Sequence, residues 1–344
     1  MEIFREGKVS FAAENRQTRD AGVFFNPSRE FDRDLNVLFV DSLGRKDLSG
    51  VDVFGASGVR GLRLCVETKA FSDFTINDIK TYRAVAKNIK SNKKALCCEV
   101  SCTSFNAVDI GSQGRKYDYI DIDPFGSPVR YMVEAVPSLN TGGILAITAT
   151  DTAALYGKAK RACALKYGAV SYKTPYFREL GLRIMIKRAE EIANLFFRSV
   201  EPVLFDVRKH YARVYLRLMR AGTSGKIGFV YQCPECPYRS LEDSGKCAHC
   251  GSAMMALGPL WLGSTFDRKL VDKMYESAGE KLKGYLGVLR DEKDTVSFYT
   301  TSELASYTKT EEKPIEVFGN RTVLDSKGFR SDEPLEKILE TASS

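Results

Sequence analysis

The chain has 344 residues, 44% of them hydrophobic, and a formal net charge of +7, enough for two domains with real cores. No apolar run approaches the roughly 18 residues that a membrane span needs, and Met1-Glu2-Ile3-Phe4-Arg5 leads straight into polar sequence, so neither a transmembrane helix nor a signal peptide is expected. Nine cysteines, an odd number in a chain without a secretory segment, argue against a disulfide framework and point to the cytoplasm.

The chain is polar at first and then turns helical. Gly22-Val23-Phe24-Phe25-Asn26-Pro27 is a loop with two adjacent aromatics, and Asn26-Pro27 reads as the stop of an element. Phe31 to Leu43 carries Leu35, Leu38 and Phe39 at helical spacing, with Arg33 on the same segment. Five alternations of strand and helix follow. The strands are Val51–Phe54, Phe74–Ile76, Cys97–Cys102, Tyr117–Ile122 and Ile144–Thr148, the last entered through Gly142-Gly143. Helices are expected from the first glycine turn to about Lys69 and over Lys80 to Asn92. Strands spaced by helices mean parallel βαβ units in an open, doubly wound α/β sheet. Such sheets bind ligands beyond the carboxyl ends of their strands.

After Thr150 the chain becomes basic. Between Thr152 and Arg220 there are fifteen Lys/Arg against five Asp/Glu, a surplus of ten, so the remainder nets about −3. This stretch reads as a phosphate-facing surface, or as a solvated helix face with spare lysines. Glu179 to Phe197 has an amphipathic helical pattern, and Val203–Val207 and Tyr211–Met219 read as two strands around a turn. The second strand alternates polar and apolar residues, as a half-buried strand does. Ala221-Gly222-Thr223-Ser224-Gly225 reads as a linker, dividing the chain into domains 1–221 and 222–344.

The second domain opens with Cys233-Pro234-Glu235-Cys236 and Cys247-Ala248-His249-Cys250. Two close pairs of thiolates fit tetrahedral Zn2+ in a closed structural site, the alternative being a redox pair. His249 is expected beside this site. From Trp261 onward the sequence reads as helices, one starting at Thr300-Thr301-Ser302-Glu303. Arg321-Thr322-Val323 and Lys327-Gly328-Phe329-Arg330 suggest an α/β module of winged-helix character touching phosphates.

Two sites carry chemistry. The turn Gly55-Ala56-Ser57-Gly58-Val59-Arg60-Gly61 departs from the dinucleotide pattern, and Asp52 lies on the strand before it. An acid there repels a pyrophosphate but suits S-adenosylmethionine, with its sulfonium and α-amine; a dinucleotide-dependent oxidoreductase is the competing reading. Asp78, 17 residues past Gly61, is placed for ribose hydroxyls. Arg33 and Arg60 are candidates for the methionine carboxylate. The second site is Asp123-Pro124-Phe125-Gly126, at the end of the fourth strand. By itself this is also a turn signal. As a site, the Asp123 carboxylate and the Pro124 carbonyl would accept the two hydrogens of an exocyclic base amine. That orients the nitrogen lone pair for in-line methyl transfer. Phe125 would stack on the base, which must be flipped out or single-stranded, and Phe24 is the candidate for its other face.

These pieces resemble the tRNA (guanine-26) N2-dimethyltransferase family. The matching segments are Val23–Pro27, Phe31-Asp32-Arg33-Asp34, the turn 55–61, Asn77-Asp78-Ile79, Asp121–Gly126, Arg161–Gly168, Glu179–Ile184 and His210–Val214, in family order over most of the chain. The resemblance implies a Rossmann-like class I methyltransferase sheet with a C-terminal domain containing a zinc ribbon, and tRNA as partner. It implies Asp123 as the catalytic acid and Phe24 and Phe125 around the guanine. It also implies S-adenosylmethionine held by Arg33, Arg60 and Asp78, with Asp52, Gly55 and Ile79 in the same pocket. Where the family tends to place Asp-Ala-Asn near the adenine, this chain has Ser104-Phe105-Asn106. Ser104 would then bond the adenine amine and Phe105 pack on its ring. Methylation of another base amine, and a non-enzymatic nucleic acid binder, are the alternatives.

Overall fold

The computed structural model describes residues 1–14, 22–220 and 226–344, so the expected linker at 221–225 lies outside the described residues. The chain starts with a hairpin that the sequence reading does not anticipate. Strand β1 (Glu2–Glu6) pairs antiparallel with β2 (Val9–Ala13), and the turn holds Gly7 at φ +54. Asn88 and Asn92 lend side-chain amides to the backbone of Ser10 and Ala12, which fastens the hairpin to the helix that carries them. Asn26 accepts from the Ser28 amide and caps a short 3-10 turn, Pro27–Arg29, that runs into helix α1 (Glu30–Ser42). Asn26-Pro27 therefore opens an element and does not stop one.

The doubly wound sheet follows: β3 (Leu48–Asp52), α2 (Val59–Glu67), β4 (Phe71–Asn77), α3 (Tyr82–Asn92), β5 (Glu99–Thr103), β6 (Tyr117–Ile122), α4 (Val129–Ser138) and β7 (Leu139–Ala149). Next are α5 (Thr152–Leu155), α6 (Lys160–Tyr167), α7 (Phe177–Asn194), β8 (Arg198–Val207) and β9 (Ala212–Arg220). The strands lie in the order β5-β4-β3-β6-β7-β9-β8. The first five are parallel, and β9 runs antiparallel between β7 and β8. The reading of two strands around a turn holds, but they join the same sheet. Gly142-Gly143 lies inside β7, so that strand is longer than expected.

Chain order reverses between β3 and β6, where Asp52 and Asp121 are register partners. A crevice opens beyond the strand ends at such a point. The expected half-burial of β9 is a correction. Arg213 and Tyr215 are fully buried, because the strand is internal and Arg213 pairs with Asp121 at 2.5 Å.

The C-terminal part contains β10 (Ile227–Gln232), β11 (Arg239–Ser240), β12 (Met255–Trp261), α8 (Arg268–Ser277), α9 (Glu280–Asp291), β13 (Tyr299–Thr300), α10 (Thr301–Thr308), β14 (Arg321–Thr322), β15 (Asp325–Phe329) and α11 (Leu335–Ser343). Thr300 caps α10 by accepting from the Glu303 amide, at the expected start. One apolar core runs from the sheet through α7 to β12, α8 and α9. A buried ionic chain crosses the same boundary: Arg183 and Arg330 both hold Glu179, and Arg330 also holds Glu292 at 2.6 Å. Arg330 is therefore a structural cation and not the phosphate contact expected of the tail. No helix of the described residues is long and apolar enough to cross a membrane.

Candidate active site

The glycine turn is shaped by crowding and by one strained residue. A Cβ on Gly55 would collide with Ile76 Cγ2, and Gly58 takes φ +81 as the cap of α2. Ala56 stands at φ +51, a left-handed conformation that is costly outside glycine. It is pinned from both sides: its amide donates to Asp78 Oδ2 at 3.0 Å, and its carbonyl accepts from Thr81 Oγ1 at 2.6 Å. Asp78 Oδ1 takes the amides of Lys80 and Thr81. The acid expected to receive ribose hydroxyls thus also builds the turn. Ile79 is exposed beside it, Ser104 is exposed at the end of β5, and Phe105 packs on the core while its carbonyl accepts from Asn77.

The carboxylates and guanidiniums beneath the crevice form one cluster. Asp123 Oδ2 accepts from Arg60 Nη2 at 2.8 Å and Arg29 Nη2 at 3.2 Å. Asp32 Oδ2 accepts from the same two atoms at 2.7 and 2.6 Å. Arg213 joins Asp121 to Asp32, and Arg29 lies 3.9 Å over the Tyr211 ring. Burial pushes the Asp123 carboxyl up, but Arg29, Arg60 and Arg213 outweigh it and hold the group below the usual carboxylate range. Asp52 makes no ion pair among the described residues, and the pull of Arg60 on it is outweighed. Burial first, and Asp121 second, raise it to about 7. Of these two neighbouring carboxyls, one is thus held down and the other pushed up.

Arg29 and Asp32 are absent from the expected site. Asp32 stands within the matched segment Phe31-Asp32-Arg33-Asp34 without a role assigned to it, and Arg29 precedes that segment by two residues. Arg33 is buried, and Glu6 accepts from its Nε and Nη2 at 2.6 and 2.5 Å. Arg60 keeps one buried arm, Nη1, without a hydrogen-bond partner among the described residues. A carboxylate suits that orphaned donor.

The aromatic pair meets as expected. The Phe24 and Phe125 rings are edge to face, with centroids 5.1 Å apart, and Phe125 is 53% exposed. Phe24 is delivered by a bridge between Glu14 and its own backbone, so the unanticipated hairpin positions it. The loop carrying Asp123, Pro124 and Phe125 is tied to the end of β7. Gly126, at φ +96, donates to Thr150 Oγ1 at 2.6 Å and accepts from the Thr150 amide at 2.9 Å. Asp123 is part-exposed and Pro124 is buried beside it.

In the C-terminal part, the Sγ atoms of Cys233, Cys236, Cys247 and Cys250 all lie within 4.8 Å of one another. Tetrahedral Zn2+ with bonds near 2.3 Å needs sulfurs about 3.8 Å apart, so the four residues fit the ion. His249 lies outside the cluster, between Tyr307 at 3.1 Å and Glu336 at 3.3 Å.

The charges of the basic middle divide. Arg183, Lys187 and Arg213 are buried and serve the fold. Lys158, Lys160, Arg161, Lys166 and Lys173 are exposed.

A family model described as N2,N2-dimethylguanosine tRNA methyltransferase matches residues 7–333. A tRNA (guanine(26)-N(2))-dimethyltransferase of Methanospirillum hungatei is 30% identical, covering 94% of this chain and 92% of that protein. A tRNA (guanine(26)-N(2)/guanine(27)-N(2))-dimethyltransferase of Aquifex aeolicus is 30% identical over 98% of this chain and 95% of its own. Trm1 from Pyrococcus horikoshii, solved in complex with S-adenosyl-L-methionine, superposes with a TM-score of 0.88 at 27% identity, covering 99% of each chain.

Proposed function

The chain belongs to the N2,N2-dimethylguanosine tRNA methyltransferase family, and from that premise we propose that it is an S-adenosylmethionine-dependent enzyme adding one and then a second methyl to the exocyclic N2 of guanine 26 in tRNA. The observation that carries the reading is the way Asp123 is held. Both arginines bond Oδ2, which leaves Oδ1 at the partly exposed mouth to accept a hydrogen of the guanine amine.

S-adenosylmethionine, when bound, supplies the methyl group. Its carboxylate suits the spare arm of Arg60, its amine Asp52, its ribose Asp78, and its adenine Ile79, Ser104 and Phe105, around the turn at Gly55. The protein's own residues do the rest. Asp123 Oδ1 takes one N2 hydrogen and the Pro124 carbonyl the other, so the lone pair points at the donor. Held anionic, Asp123 stabilises positive charge developing on nitrogen and receives the proton after transfer. Phe24 and Phe125 separate to admit the base, because two rings sandwiching a third need about 7 Å between centroids. The arrangement accepts only an unpaired base.

Residues 1–221 are proposed to perform the transfer. Residues 222–344, stiffened by Zn2+ on Cys233, Cys236, Cys247 and Cys250, are proposed to contribute tRNA binding. None of the nine cysteines is joined in a disulfide, which supports a cytoplasmic setting. Incubating unmodified tRNA with the protein and labelled donor, then analysing nucleosides, tests the reading. N2-methyl- and N2,N2-dimethylguanosine at position 26 are expected. Label on adenine or cytosine, or none, overturns it.

A further inference from the structure

Residues 152–178 contain six cations and no Asp or Glu. Lys166 pairs with Asp151 at 3.0 Å and Arg178 with Asp325 at 2.7 Å. The other four, Lys158, Lys160, Arg161 and Lys173, make no ion pair among the described residues. They stand exposed on and around α6, which also leaves Leu165 76% exposed. The exposed cations of the tail differ: Arg321 and Lys327 are each matched by a glutamate. A strip of unmatched cations is the electrostatic counterpart of a phosphodiester backbone.

The strip is rigidly held and wired to the catalytic loop. Lys187, buried under α6, donates its ammonium to the carbonyls of Tyr167 and Gly168 at 3.0 Å each, closing the helix C-terminus. Val170 exchanges two backbone bonds with Gly258, which anchors the strip to the C-terminal part. The Tyr167 hydroxyl donates to Asp151 Oδ1 at 2.7 Å and accepts from Ser127 Oγ at 3.0 Å. Ser127 is the second residue after Phe125, and Gly126 between them is already fixed to Thr150.

Resting on the methyltransferase reading, we propose that residues 158–173 are the dock for the RNA backbone next to the flipped guanine, and that Tyr167 is a positioning residue relating that dock to the Asp123–Phe125 loop. Phosphates seated on Lys158, Lys160, Arg161 and Lys173 bring the target nucleotide to the mouth. The Tyr167 hydroxyl keeps the mouth at a constant distance from them.

The test uses the full chain, unmodified tRNA and two variants. K158Q/K160Q/R161Q/K173Q changes only exposed side chains. Its plot of log affinity for tRNA against log salt is expected to be shallower by about 3 to 3.6 units, for roughly 0.7–0.9 per lost phosphate contact. Its KM for tRNA rises at least tenfold at physiological salt, and its affinity for S-adenosylmethionine is unchanged. Y167F keeps the wild-type salt slope and KM but lowers kcat about tenfold. An unchanged slope in the quadruple variant overturns the dock, and an unchanged kcat in Y167F overturns the coupling. Wild-type protein that methylates no tRNA would instead remove the functional reading on which both rest.

Discussion

Arg29 Nη2 lies 3.2 Å from Oδ2 of Asp123, a residue 94 positions later in the chain, and the same nitrogen holds Asp32 at 2.6 Å. Arg29 thus fixes the carboxylate proposed as catalytic by one oxygen and adds a positive field beside it. Arg29→Met removes one of the three cations that hold the group down, so the Asp123 pKa rises toward the ordinary carboxylate value. The acid limb of the kcat/KM profile is expected to move to higher pH, with Arg29→Lys in between. An unmoved limb in Arg29→Met would show that the arginine does not tune Asp123. Asp123→Asn should lower kcat by about 10²–10³-fold and still bind S-adenosylmethionine, read by calorimetry.

The rings of Phe24 and Phe125 touch edge to face and must part for a base to enter. Base–aromatic stacking contributes about 1–3 kcal/mol. Replacing either ring with Leu is therefore expected to raise KM for tRNA by roughly 5- to 100-fold, and Tyr should retain most of the affinity. Steady-state kinetics with saturating methyl donor measures this. Equal kinetics in the Leu variants would assign both rings to packing alone.

Asp52 titrates near 7 because it is buried and faces Asp121. The folded protein binds this proton more tightly than the unfolded chain does. Its contribution to stability is complete below the unfolded value of about 4 and is lost as pH rises through 7. Asp52→Asn removes that dependence. Thermal unfolding between pH 5 and 8 should show wild-type Tm falling a few degrees further than that of Asp52→Asn. Parallel curves would count against the raised value.

The cysteine cluster should carry one equivalent of zinc per chain, measured by elemental analysis. Cys236 and Cys247 are buried among few apolar neighbours, with Tyr238 and Met254 packed against them. Such a ribbon has little core of its own, so Cys236→Ser is expected to lower both zinc content and Tm. Metal-free protein that unfolds at the same temperature as metal-loaded protein would refute a structural ion.

The sheet is readable in the sequence because its strands end in residues with a chemical task. Asp78 and Asp123 mark carboxyl ends, and crowding at Gly55 leaves no room for a side chain. The opening hairpin is less visible, since Val9, Phe11 and Ala13 alternate over one short strand only. Arg213 misleads for a physical reason: its charge looks like a solvent face until Asp121, 92 residues earlier, comes to meet it. Arg330 misleads in the same way. Local pattern shows a cation but not the distant carboxylate that neutralises it, so Arg29 also escapes notice, and Asp32 is visible only as part of a matched segment. Ala56 is harder still, because its left-handed turn depends on the hydrogen bond that its amide donates to Asp78.

Arg330, in the C-terminal part, completes the ionic chain around Glu179 in α7, the helix that packs on β8 and β9. Removing one partner of such a buried pair leaves an uncompensated charge behind. The C-terminal part and the sheet thus share one charge balance, and damage to either is felt by the other through Glu179.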